Sequence, residues 1–153
     1  MIALEPIADT DRDALQAALT PYIAEIAPGA APDPAAFTDR QFGPGRYRFW
    51  ITAPQRIGFA LAFTHDDGLH ELAEFAILPD RRRSGAGREA VGLLLTRLPG
   101  RWRLGVVDRE PARRFWAATL TRLPQVTELR DGPALTPAQS HSYTFTAHGG
   151  DAR

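Results

Sequence analysis

The sequence predicts an α/β protein built on a mixed, mostly antiparallel twisted sheet of six or seven strands. Three observations lead to this fold class. Three strand patterns follow one another over residues 46–78 with only short turns between them, which is typical of an antiparallel meander. A strand, a helix and another strand then occupy residues 71–107, and a connection of that length makes the two strands parallel. Two further strand patterns, at 125–130 and 140–147, end the chain.

The N-terminal part reads as a short edge strand, residues 1–6, followed by helix. Thr10 with Asp13 resembles a capping box at the start of this helix. Pro21 lacks the amide proton that an internal helical bond needs, so the helix either kinks or restarts with Thr20 as the cap of a second helix. In both cases one apolar stripe stays buried, consisting of Leu15, Leu19, Tyr22 and Ile26.

A stretch rich in proline and glycine covers residues 27–45. Asp33 and Pro34 are suited to begin one short helix that runs through Gln41. The stretch is either a plain connector or a segment with a functional role. The stretch is long for a connector without secondary structure, which favours a functional role.

The meander ends in the most informative part of the sequence, residues 71–98. Asp66, Asp67 and Gly68 predict a hairpin turn before its last strand, and Pro79 ends that strand because proline cannot donate to a sheet ladder. A basic turn follows, and after it residues 88–98 carry apolar side chains at helical spacing. Exposed amides at a helix start, beside arginines and glycines, are suited to binding phosphate.

In the second half, Pro99 and Gly100 end this helix and residues 102–107 read as a strand. Residues 110–123 read as the next helix, in which Pro111 is tolerated because it lies in the first turn. We expect residues 1–147 to form a single domain and residues 148–153 to be a flexible tail.

Composition excludes several classes of function. The 153 residues include no cysteine, and all 18 basic residues are arginine, so thiolate zinc sites, a cysteine acyl-enzyme and Schiff-base chemistry are excluded. The formal net charge of zero argues against recruitment by nucleic acid or an anionic membrane. No apolar run is long enough to span a bilayer, and the N-terminus lacks the pattern of a signal peptide, so a cytoplasmic location is expected.

Residues 77–87, Ile-Leu-Pro-Asp-Arg-Arg-Arg-Ser-Gly-Ala-Gly, resemble the acetyl-CoA signature of the GNAT superfamily of acyltransferases. Arg82, Gly85 and Gly87 occupy the three defining positions of that signature. A second segment resembles the family's N-x-x-A-x-x-[LF]-Y motif at the next helix, with Arg109 in place of the usual asparagine and Trp116 in place of the usual tyrosine. This form is similar to a poorly characterised bacterial subgroup. The order of elements matches the family over nearly the whole chain.

The resemblance implies the GNAT fold, with helices on both faces of the sheet and a parallel but splayed pair formed by the fourth and fifth strands. The pantetheine arm of acetyl-CoA lies in that gap, and a backbone amide of Ala76 or Ile77 would face the thioester carbonyl. Arg81 or Arg83 would reach the 3′-phosphate, and residues 27–45 would cover the acceptor side. The cofactor-binding residues implied in this way are Ala76, Ile77, Leu78, Arg82, Arg83, Ser84, Gly85, Ala86, Gly87, Arg88, Arg109, Ala112, Phe115 and Trp116.

The resemblance also implies a carboxylate on the fourth strand as the base that deprotonates the acceptor amine. Glu74 is the first candidate because a carboxylate in an apolar run needs a partner or a purpose, although a salt bridge to a nearby arginine would also explain it. Glu71 is the second candidate, but alternation puts it on the opposite face of an ideal strand, where it would meet solvent. Trp116 has an indole N–H that donates a hydrogen bond but does not titrate, so it either contacts the sulfur of the leaving thiolate or fills the core, and Tyr143 is the substitute acid.

The predicted function is therefore that of an acetyl-CoA-dependent N-acetyltransferase. It would transfer an acetyl group to a primary amine, of a small molecule or an N-terminus, by direct attack in a ternary complex. The alternative is a non-catalytic or regulatory acyl-CoA-binding protein of the same fold. No metal, nucleic acid or membrane partner is expected, and the sequence leaves a homodimer open.

Overall fold

The computed structural model describes residues 1–29 and 32–149. One sheet of seven strands, in the order β1-β2-β3-β4-β5-β7-β6, carries the fold. The number of strands and the mixed α/β class confirm the prediction. The helices and strands are β1 (Ala3–Pro6), α1 (Arg12–Ile26), α2 (Pro34–Arg40), β2 (Arg46–Thr52), β3 (Arg56–Thr64), β4 (His70–Ile77), α3 (Ala86–Arg97), β5 (Gly100–Val107), α4 (Ala112–Arg122), β6 (Val126–Gly132) and β7 (Gln139–Ala147).

Parallel pairing occurs between β4 and β5, whereas every other neighbouring pair in the described sheet is antiparallel. The parallel register covers three positions only and ends where Leu72 meets Leu104. Beyond this point β4 continues over residues 73–77 and β5 over residues 105–107, without further pairing between these described segments. We call this opening the β4–β5 gap. The predicted parallel, splayed pair is confirmed.

Helices cover both faces of the sheet and bury two apolar clusters. On β2, Phe49 and Ile51 belong to the cluster under α3 and α4, whereas Trp50 between them belongs to the cluster under α1. Because alternate residues of a strand point to opposite faces, both faces of this strand are buried. Trp50 was not identified as a core residue from the sequence.

The start of α1 differs from the prediction. A 3₁₀ turn over Asp9–Asp11 precedes the helix, and no side chain caps its N-terminus, so the predicted capping box of Thr10 with Asp13 is wrong. The backbone of the turn already supplies the first bonds, because the Asp11 amide donates to the carbonyl of Ala8. The helix also passes through Pro21 without restarting, and the hydroxyl of Thr20 donates back to the carbonyl of Gln16.

The predicted short helix after Asp33 is confirmed as α2, whose N-terminus is capped by the Asp33 carboxylate accepting from the amide of Ala35. At the other end of the chain, the amide of His148 donates to the carbonyl of Gln125 at 2.9 Å. The rest of the predicted tail, residues 150–153, lies outside the described residues. No helix among the described residues has both the length and the apolar composition to cross a membrane. The single domain and the cytoplasmic location stay predictions.

Candidate active site

The turn between β4 and α3 presents a series of unpaired backbone amides. Arg83 and Gly85 have positive φ angles, 66° and 84°, and these left-handed residues change the direction of the chain just before the helix begins. No acceptor among the described residues pairs with the amides of residues 83–88. The amides at a helix start carry partial positive charge, so this turn is suited to an anionic ligand.

The two glycines of this turn serve different purposes. A side chain at Gly85 would meet no atom within 4 Å, so the space beside this residue is open. A side chain at Gly87 would lie 2.8 Å from Cε1 of Phe115. Gly87 is therefore required by packing against α4. A cavity of about 590 Å³ begins beside Ser84, Gly85 and Arg88 and runs along the outer face of α3.

Arg82, the first residue of the signature, is occupied by the protein itself. Its Nε donates to the carbonyl of Ile77 at 2.7 Å, and its two terminal nitrogens lie 3.2 and 3.3 Å from the two carboxylate oxygens of Glu25. The guanidinium of Arg109 bonds to the backbone carbonyl of the same glutamate. The C-terminal turn of α1 therefore holds both loops that flank the β4–β5 gap. Glu25 was missed in the sequence because its partners are 57 and 84 positions away.

An aromatic cluster lies against the gap segment of β4. Phe75 stacks on Phe115 with ring centroids 6.0 Å apart, and Trp116 packs edge-on against both rings. Trp116 is buried, and its indole nitrogen has no hydrogen-bond partner among the described residues. Ala112 packs against the same core. The structure thus gives Trp116 a packing role, and any contact with a leaving thiolate stays a prediction.

Tyr143 is buried in the core cluster on the face of the sheet that carries α3 and α4. Burial, and after it the charge of Asp131, raises the pKa of its phenol. The group therefore stays protonated at neutral pH, as an acid must. Tyr143 lies on the face of the sheet opposite to Glu74, so the structure does not bring the candidate acid and the candidate base together.

The backbone of β4 determines which amides face the gap. The amide of Leu78 donates to the carbonyl of Ile57 in β3. The carbonyl oxygen of Ala76 also points toward β3, since it would lie 2.1 Å from a Cβ atom added to Gly58. Both peptides therefore face β3. Because successive residues of a strand alternate in direction, Phe75 and Ile77 face the gap. Of the two amides predicted to face the thioester carbonyl, Ile77 is the one suitably directed. The amide of Phe75 was not identified from the sequence as a candidate for this role.

Glu74 lies at the start of the gap segment and accepts a hydrogen bond of 2.7 Å from the hydroxyl of Tyr22. Burial raises the pKa of its carboxyl to about 7, against opposing effects of the Tyr22 bond and the charges of Arg40 and Arg46. No arginine lies within salt-bridge distance of Glu74 in the described structure. Its second oxygen, Oε2, has no protein partner among the described residues. A partly buried carboxylate with a pKa of about 7 is suited to accept a proton.

Glu71 is on the same face as Glu74, contrary to the alternation argument. Leu61 in β3 pairs with Glu74 and Phe63 pairs with Glu71, so one extra residue, Ala73, is inserted in β4 as a bulge. Glu71 is also not solvent-facing as predicted, because its side chain is only 17% exposed.

Glu71 is bonded to two basic side chains. Its Oε1 accepts from Arg103 at 2.5 Å and lies 2.8 Å from Nε2 of His65. The carboxylate of Glu71 is therefore engaged by the protein itself, whereas no described arginine pairs with Glu74. Of the two predicted base candidates, the contacts favour Glu74.

Comparison with known proteins decides the family. The model described as Acetyltransferase (GNAT) family matches residues 14–120 of the 153. The chain belongs to the GNAT acetyltransferase family. Its predicted enzyme class, a GNAT-type acyltransferase, is confirmed with it. No curated protein matches the chain significantly in sequence.

Several solved GNAT structures share the fold at low sequence identity. An acetyltransferase from Thermus thermophilus superimposes with a TM-score of 0.65 at 18% identity, covering 95% of each chain. The ribosomal-protein-S18-alanine N-acetyltransferase of Escherichia coli gives 0.63 at 20% identity, covering 100% of this chain and 99% of its own. Aminoglycoside acetyltransferase AAC(6')-Ib in complex with coenzyme A gives 0.69 at 15% identity, covering 97% and 95%. These likenesses confirm the predicted fold, and the individual site residues stay predictions.

Proposed function

We propose that this GNAT protein transfers the acetyl group of acetyl-CoA to the primary amine of a small molecule or an N-terminus, by direct attack in a ternary complex. The observation that carries the proposal is the position of Glu74. One strand, β4, bears this partly buried carboxylate at the start of the gap and leads at its C-terminal end into the turn with unpaired amides.

The turn fits the diphosphate of acetyl-CoA in chemistry and shape. Its amides from 83 to 88 are unpaired within the described structure, and the space beside Gly85 is open. Arg81, Arg83 and Arg88 form no ion pair with a described carboxylate, so their charges are available to phosphate. Arg82 is bonded to the protein and would shape the turn. Acetyl-CoA would supply an acetyl group activated as a thioester.

Glu74 would remove the proton that the attacking amine must lose. An amine of pKa about 10.4 is almost wholly protonated at neutral pH. Each pH unit corresponds to about 1.4 kcal/mol, so a carboxylate with a pKa of about 7 accepts the proton about 3 kcal/mol more favourably than an ordinary one. Tyr22 fixes Oε1 and leaves Oε2 to face the acceptor.

In the transfer itself, the amine nitrogen bonds to the acetyl carbon while the carbon–sulfur bond breaks and its electron pair leaves with sulfur. A backbone amide of Ile77 or Phe75 would stabilise the negative charge that develops on the carbonyl oxygen. A thiolate whose conjugate acid has a pKa of about 8.5 can leave without protonation, so Trp116 in place of an acid is compatible with turnover.

A non-catalytic acyl-CoA-binding protein is the second candidate. The burial of Trp116 at the position of the usual tyrosine favours it, because this residue offers no titratable proton.

One experiment separates the two candidates. Calorimetry measures acetyl-CoA binding, and thiol release is followed with a panel of primary amines for wild type and Glu74→Gln. Transfer requires binding and thiol release with at least one amine, and the role of Glu74 as base requires a loss of roughly 10²–10⁴-fold in kcat in the variant. Binding without release for any amine supports the second candidate, and unchanged kcat in Glu74→Gln removes this residue from the mechanism.

A further inference from the structure

Two arginines lie on the side of the sheet that carries Glu74 and is covered by α1 and α2: Arg46, which is partly buried, and Arg40, which is exposed. Arg46 begins β2 and pairs with Phe63, which in turn pairs with Glu71 across the sheet. Arg40 ends α2. Both charges oppose the effect of burial on the pKa of Glu74.

Neither arginine is neutralised by the described protein. The guanidinium carbon of Arg46 lies 4.4 Å from the centre of the Phe63 ring, and one terminal nitrogen donates to Oε1 of Gln41 at 3.4 Å. Arg40 lies over the ring of Phe37 at 5.6 Å. Within residues 1–29 and 32–149, no carboxylate is within 4.0 Å of either.

Neighbouring arginines on this face have anionic partners. Arg48 lies 3.7 Å from a carboxylate oxygen of Asp9, and Arg103 lies 2.5 Å from Glu71. The remaining pair is therefore a local excess of positive charge. Burial, and after it the nearby charge of Arg40, lower the pKa of Arg46, against the opposing charges of Glu71 and Glu74.

We propose that Arg40 and Arg46 bind an anionic group of the acceptor, a carboxylate or a phosphate, while its amine faces Glu74. Guanidinium groups match the geometry of both anions and form two parallel hydrogen bonds with them. The stacking of Arg46 on Phe63 holds its plane in a fixed direction. The acceptor class is therefore a small amine that also carries a negative charge, rather than a polyamine or a neutral peptide N-terminus.

The anion site rests on the proposed transfer reaction, so its test uses turnover. Wild type and variants are assayed at pH 8.5 with glycine, β-alanine and 4-aminobutyrate, each compared with its amide, and with O-phosphoethanolamine compared with ethanolamine. The variants are Arg46→Gln, Arg40→Gln and, as a control with the same loss of charge, Arg122→Gln on the exposed side of α4. The readouts are kcat/KM for each amine and KM for acetyl-CoA.

We expect wild type to prefer at least one anionic amine over its neutral counterpart by about tenfold or more in kcat/KM, since a charge-assisted pair contributes that much. In Arg46→Gln or Arg40→Gln this preference should fall severalfold while KM for acetyl-CoA is unchanged, and Arg122→Gln should keep it. The ratio of kcat/KM between each amino acid and its amide, and between O-phosphoethanolamine and ethanolamine, shows whether the site prefers a carboxylate or a phosphate.

Equal use of neutral and anionic amines by wild type overturns the anion site and leaves the transfer reaction intact. A preference that survives in both Arg46→Gln and Arg40→Gln also overturns it. Absence of any acetylation, with acetyl-CoA bound, overturns the transfer reaction and the anion site with it.

Discussion

The hydroxyl of Tyr22 donates a hydrogen bond of 2.7 Å to Oε1 of Glu74, and so joins α1 to β4 across 52 positions of sequence. Burial and the neighbouring carboxylate raise the pKa of this tyrosine well above its ordinary value, so it remains a donor at every pH at which the protein would work. A bond donated to a carboxylate stabilises its charged form. Tyr22 therefore limits how far burial raises the pKa of Glu74.

The first prediction follows from this bond. If Glu74 is the base, kcat of wild type should rise with pH, with an apparent pKa of about 7. Tyr22→Phe removes the bond that lowers this pKa, so the rise should move to higher pH while the plateau at alkaline pH changes less. The measurement is kcat against pH from roughly 5.5 to 9.5 with a saturating amine. Tyr47→Phe, at a half-exposed tyrosine of β2, is the control and should keep the wild-type profile.

The stability of the protein should also depend on the titration of Glu74. The pKa of this carboxyl is about 7 in the folded state and near 4.5 in an unfolded chain. Between these pH values the folded state binds more protons than the unfolded state, so stability falls as pH rises and is highest below pH 4.5. Glu74→Gln abolishes this loss. The variant should gain stability over wild type between about pH 4.5 and 8, by at most about 3 kcal/mol.

Urea unfolding of both proteins at about pH 4.5, 6 and 8 measures that difference. Glu5→Gln, at an exposed glutamate of β1, is the matched control and should follow the wild-type curve. A constant difference between Glu74→Gln and wild type across this range would mean that the carboxyl titrates alike in the folded and unfolded states.

Gly87 gives a prediction about packing. A methyl group at this position would lie 2.8 Å from Cε1 of Phe115, whose ring is held by Phe75 and Trp116, so Gly87→Ala should cost about 1–3 kcal/mol of stability. Phe115→Leu makes room at this contact. In a double-mutant cycle measured by urea unfolding, Gly87→Ala should therefore cost less in the Phe115→Leu background. Additive effects would show that the two residues are not in contact.

The ion pair between Glu25 and Arg82 predicts an effect on acetyl-CoA binding. Both side chains are partly exposed, 38% and 32%, so the pair contributes about 0.2–1 kcal/mol. If Arg82 shapes the diphosphate turn, Glu25→Gln should weaken acetyl-CoA binding about two- to fivefold in calorimetry. Tighter binding in this variant would instead mean that the released arginine contacts phosphate directly. Glu5→Gln serves again as the control.

Sequence reasoning succeeded where the signal is local. Gly85 and the residues around it predict the turn, since a left-handed residue before a helix favours glycine, and the successive strand patterns over residues 46–78 predict the meander. The capping box at Thr10 failed because a backbone turn from Asp9 to Asp11 provides the same bonds, and a side-chain pattern cannot distinguish the two.

The site was harder to predict because its contacts are distant in sequence. Tyr22 reads as one more member of an apolar stripe, and nothing near it in the sequence indicates that its hydroxyl reaches Glu74. The bulge at Ala73 is likewise decided by the register with β3, and it alone puts Glu71 and Glu74 on one face. Arg82 was identified from its motif, but its bond to Glu25 depends on how α1 packs.

The short parallel register between β4 and β5 has a mechanical consequence. Four strands lie on one side of it and three on the other, and three residue pairs at one end are the described ladder between them. A molecule bound between the separated ends of β4 and β5 would contact both parts of the sheet and restrict their relative motion. The amide proton of Ile77, which faces the gap, should then exchange rapidly with deuterium in the free protein and slow down more than the paired amides of the sheet when acetyl-CoA is added.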